Sequence, residues 1–97
     1  MFYDEYTNHM LRTYFADIAP DLLDEVAKRN CAACSNVLRR MNQQDNDILR
    51  RVFSQSGRIP LKTAVRNCAE TLQKKDTDVW RVVRFASKEI ARDRGLL

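Results

Sequence analysis

Residues 74–97 read KKDTDVWRVVRFASKEIARDRGLL, and this stretch decides the fold. Val79, Val82, Val83, Ala86, Ile90 and Ala91 recur at the three-and-four spacing of one helix face. Arg81, Arg84 and Lys88 fall between them and point the other way. Asp76 or Thr77 is placed to cap the start of a helix over 77–94. Gly95 supplies a left-handed stop, and Leu96 can fold back on the last turn. A helix with one apolar face is stable only when other elements cover that face.

The preceding segments provide the cover. IPLKTAVRNCAETLQ predicts a helix over 60–73, with Pro60 in the first turn and Leu61, Ala64, Val65, Cys68, Ala69 and Leu72 on one side. A further helix is expected over 45–55, capped by Asp45 or Asn46, with Ile48, Leu49, Val52 and Phe53 inward and Gly57 past its end. Upstream, a helix over 20–41 carries Leu22, Leu23, Val26, Ala27, Cys31, Cys34, Val37, Leu38 and Met41. Pro20 suits its first turn, and Asp21, Asp24 and Glu25 complement the positive end of its dipole. Tyr3, Tyr6, Met10, Tyr14 and Ile18, flanked by Leu11 and Phe15, predict a first helix over 2–18 that Pro20 interrupts. The expectation is an all-α protein: one domain over 1–97, a compact bundle of about five helices. It combines an N-terminal helical pair over 1–42 with a helix-turn-helix-like part over 45–97.

Composition narrows the function. With only two glycines and two prolines the chain lacks the turns of a β sandwich, and no apolar run approaches the roughly 18 residues of a membrane span. MFYDEYTNHM is acidic and aromatic, unlike a signal or transit peptide, so a cytoplasmic location is expected. Three cysteines, an odd number, do not make a disulfide framework. CAAC at 31–34 has the spacing of a metal or redox half-site, yet both cysteines lie on the apolar stripe and no second pair follows, so core packing is expected. The lone His9 has no catalytic neighbour in sequence, and no glycine-rich phosphate loop is present. No enzyme, cofactor, metal or small-molecule substrate is expected.

Charge is segregated. Residues 1–25 carry net −5, residues 26–56 net +4 and residues 57–97 net +5. A basic C-terminal half attached to an acidic front suits an anionic partner, with nucleic acid the leading class. A helix, a short turn and a second helix with arginines on its outward face is the layout of a helix-turn-helix. On that layout Thr77, Trp80, Arg81 and Arg84 would face base edges, with Lys88 further along. Lys62, Arg66, Lys74 and Lys75 would meet phosphates. Arginine suits guanine through its bidentate fork, and lysine suits phosphate as a point charge.

Over residues 45–97 the chain resembles sigma-factor region four and the small phage transcriptional regulators of the RinA and ArpU type. The matching pieces are DNDILRRVF as a lead helix, Ala69 and Leu72, Val79 in the next helix, and the ending IARDRGLL. The resemblance implies a DNA-binding regulator that reads the major groove with its last helix. It departs from the motif at Gln73, where a glycine is usual, and at Lys74, where an apolar residue is usual. Double-stranded DNA is the implied partner, with the acidic N-terminal helices free for a second copy or for RNA polymerase. The other reading is a non-enzymatic helical adaptor without DNA contact, to which Asp76, Asp78 and a packed Trp80 would be suited.

Overall fold

In the computed structural model of the chain, which describes residues 3–97, five α-helices follow one another: α1 (Asp4–Phe15), α2 (Glu25–Arg40), α3 (Gln43–Gln55), α4 (Leu61–Leu72) and α5 (Asp76–Arg94). A 3-10 turn at Pro20–Leu22 lies between α1 and α2. Among the described residues there is no strand, only one isolated bridge between Ser56 and Ile59. The expected all-α bundle is therefore the fold. Nor is any described helix long and apolar enough to cross a membrane.

α5 is the central element and packs against all four other helices, most extensively against α2. Val79, Val83, Ala86, Ile90 and Ala91 are all buried, as their spacing predicts, and Val82 is half-buried. Val79, Val83, Ala86 and Ile90 meet Met10 and Leu11 of α1, Ala33, Cys34, Val37 and Leu38 of α2, Ile48, Leu49, Val52 and Phe53 of α3, and Ala64, Val65, Cys68 and Ala69 of α4 in one core. The Cα radius of gyration is 12.7 Å, close to the ~12.5 Å expected of a compact chain this long.

Three buried polar positions, Thr7, Asn30 and Ser87, have no counterpart in the expected core. Thr7 and Ser87 are buried, and their hydroxyls hydrogen-bond each other between α1 and α5. The Ser87 hydroxyl also lies 3.2 Å from Asp4 Oδ1, which accepts from it. Asn30, buried on α2, donates to the Tyr6 hydroxyl at 2.9 Å and accepts from Arg94 Nε at 2.9 Å, so one amide ties α1, α2 and the end of α5 together. A buried polar group without such partners would cost roughly 1–3 kcal/mol.

Several expected boundaries move. α1 stops at Phe15, and Ile18 lies exposed beyond it, past Asp17 at φ +54°. The expected start at residue 2, and Phe2 itself, lie outside the described residues. The second helix begins at Glu25 rather than at residue 20, because the Asp24 carboxylate accepts the Ala27 N–H and caps it there. Leu22 and Val26 are consequently exposed, not core. α3 starts at Gln43, capped by Asn42 through the Asp45 N–H, not by Asp45 or Asn46. α5 starts at Asp76 behind Lys75, with no side-chain cap.

α4 ends without a glycine. Gln73 takes φ +55°, ψ +46°, and the Lys74 N–H closes the turn on Ala69 O at 2.8 Å. This is the bonding of a Schellman stop, normally made by glycine. A residue with a Cβ is strained there. Gln73 is exposed. Gln73→Gly is therefore expected to raise stability by about 0.5–1 kcal/mol, read as a higher urea midpoint with an unchanged m value.

Candidate nucleic-acid interface

Three residues, Gln73 to Lys75, join α4 to α5. The left-handed turn at Gln73 sets the direction in which α5 leaves α4, and the core side chains fix its rotation. With Val79, Val83, Ala86 and Ile90 turned inward, a 100° advance per residue places Thr77, Arg81, Arg84 and Lys88 along the opposite side. All four are exposed. They span ~16 Å along the axis at the 1.5 Å helical rise.

Local contacts shape this lane without removing its charge. Arg81 is 79% exposed, with Nη2 3.8 Å from Asp78 Oδ1 one turn back. The Arg84 guanidinium stacks over the Trp80 ring, Cζ 5.5 Å from its centroid. Lys88 carries no ion pair among the described residues. No described acid within residues 1–25 reaches Arg81 or Arg84. The first turn of α5 holds Asp76 and Asp78, which favour the positive dipole end.

The remaining expected contact residues divide between two flanks. Lys62 and Arg66 are exposed one turn apart on α4, and Arg66 Nε lies 3.9 Å from Asp76 Oδ2, so this pair adjoins the start of α5. Lys75 is exposed in the turn. Lys74 is half-buried and turns to the other flank. There it borders an open groove of about 550 Å³ between the start of α3 and α5, lined also by Asp45, Ile48, Arg81, Val82 and Phe85. Trp80 is half-buried and packs on the core.

Two residues of this surface were missed. Phe85 is 54% exposed, flanked by the α3 groove on one side and by a smaller cleft with Val37, Arg40, Met41 and Glu89 on the other. Arg92 extends the lane by one more turn and is held by Glu89 at 2.7 Å. The spacing of Lys88 and Arg92, four residues apart, would have revealed the second. Phe85 has no such signal, since an apolar residue is ordinarily assigned inward.

Elsewhere the chemistry is quiet. Cys34 and Cys68 are buried and Cys31 is half-buried. Burial, and then the neighbouring Cys31, push the Cys34 thiol up to about 12. Burial also raises Cys31, and raises Cys68 against the opposing pull of Arg51. These thiols are protonated at neutral pH and are poor nucleophiles. Among the described residues no three His, Cys, Asp or Glu side chains converge as a metal-binding group. The chain matches no protein-family model, no curated protein and no solved structure.

Proposed function

We propose that the protein is a DNA-binding transcriptional regulator of the phage or mobile-element kind, which lays α5 in the major groove of double-stranded DNA. The observation that supports this reading is the outward lane of Thr77, Arg81, Arg84 and Lys88, left open by the acidic front end. Arg81, exposed and near the helix start, is the base-reading candidate, and its fork suits guanine O6 and N7. Lys62, Arg66 and Lys75 beside the start of α5 are suited to phosphates. A single such unit buries little area on DNA, so a second copy or RNA polymerase would supply the remaining affinity through the N-terminal helices.

An adaptor without DNA contact is the second reading, favoured by the exposed Phe85 between two clefts. Salt dependence separates the two. Titrated against random-sequence duplex between about 50 and 200 mM salt, a groove binder should lose affinity with a log–log slope of about −0.9 for each phosphate neutralised. Three to five such contacts give a slope of roughly −2.7 to −4.5. Absence of saturable binding at the lowest salt would remove the DNA reading and leave the adaptor.

A further inference from the structure

Arg81 and Arg84, the two arginines of the α5 lane, are held differently. The Arg84 guanidinium lies over the Trp80 ring. Arg81 instead faces a carboxylate: its Nη2 is 3.8 Å from Asp78 Oδ1, one turn back along the same helix. That distance is an ion pair, too long for a hydrogen bond. The contact therefore leaves the donors of the one group and the acceptors of the other unspent, side by side, on side chains 79% and 43% exposed. Asp76, the other acid of the first turn, lies against Arg66 of α4 at 3.9 Å instead.

We infer that Asp78 and Arg81 form one reading unit that selects two adjacent G·C pairs of duplex DNA. The Arg81 fork donates to O6 and N7 of a guanine, and the Asp78 carboxylate accepts from the N4 amino group of a cytosine in the neighbouring pair. This rests on the DNA reading above. A carboxylate so close to Arg81 repels phosphate, so the pair suits a base edge better than the backbone. In the major groove cytosine presents its N4 donor, whereas adenine sets the N7 acceptor beside its N6 donor, and guanine and thymine present acceptors. A group that only accepts therefore fits cytosine best. Spacing agrees. Residues three apart on a helix are ~4.5 Å apart along its axis, near the ~3.4 Å step between stacked bases, so the two side chains reach neighbouring pairs rather than one.

Selection from a randomised duplex library, with the wild type, Asp78→Asn and Arg81→Ala, tests it. Both side chains lie outside the core, so folding should be retained, as circular dichroism would verify. The wild type should enrich two adjacent G·C pairs. Asp78→Asn keeps the shape of the side chain but adds a donor to its acceptor, the pattern that matches adenine N6 and N7. It should exchange the cytosine preference for adenine at that one position, by about fivefold or more in relative affinity, and keep the guanine preference. Arg81→Ala should lose the guanine preference. Anisotropy titrations of duplexes that differ only at the cytosine position give the ratio directly. A wild type that binds duplex without preferring adjacent G·C pairs overturns the inference and leaves the DNA reading standing. So does an Asp78→Asn protein that retains the cytosine preference, or that changes affinity for all duplexes by one common factor, as a carboxylate serving only the helix dipole would. A wild type with no saturable binding to any duplex removes both.

Discussion

Ala69→Glu is expected to cost about 4 kcal/mol or more of stability and to leave the protein largely unfolded at room temperature. Ala69 is 1% exposed on α4, inside the core shared with α3 and α5. A carboxylate there loses its water and finds no counter-charge among the described core residues. Leaving one charge buried and unpaired costs about 3–5 kcal/mol, and the added volume costs roughly 1–3 more. The total approaches the whole stability of a domain this size, about 5–15 kcal/mol. The loss should depend on pH with a definite sign. Burial raises the folded-state pKa of the introduced carboxyl above its unfolded value. The native state therefore binds the proton more readily, and part of the lost stability returns as the pH falls from about 8 to about 5. Chemical denaturation at the two pH values reads both effects, and a variant as stable as the wild type would mean that α4 does not bury this face.

Replacing Arg81, Arg84 and Lys88 together by alanine should do the reverse, leaving the fold intact and abolishing tight binding to a preferred sequence. Arg81→Ala alone should weaken binding to a preferred sequence by about 1–3 kcal/mol. The triple change should weaken binding to that sequence by more than a hundredfold, while the salt slope, set by the phosphate contacts of Lys62, Arg66 and Lys75, changes little. Binding anisotropy and thermal melting on the same samples separate the two properties. Equal binding by wild type and triple variant would show that α5 is not the contact. A melting temperature lowered as far as by Ala69→Glu would show that its outward face is structural.

The contrast between these variants follows from which residues the apolar spacing could place. Val79, Val83, Ala86 and Ile90 were legible because three-and-four spacing within one helix is a local signal. The outward position of Thr77, Arg81, Arg84 and Lys88 is its complement and came with it. Leu22 and Val26 misled because helical spacing runs unbroken across residues 20–41, while the backbone does not. Asp24 caps α2 in extended conformation at ψ 176°, and Leu23 ahead of it is extended at ψ 137°. Capping chemistry prevailed over periodicity. Thr7 and Ser87 escaped because their partnership spans 80 positions and leaves no mark on either neighbourhood. Lys74 borders the α3 groove, a position that follows the left-handed residue at Gln73 and that helical spacing does not encode.

The sulfur chemistry carries a separate consequence. Cys34 and Cys68 sit behind the helices with their protons held, and an alkylating reagent needs an accessible thiolate. Reaction at either one must wait until the helices part. The chain thus contains two native reporters of breathing in α2 and α4, sealed while the bundle is shut and legible without any foreign label.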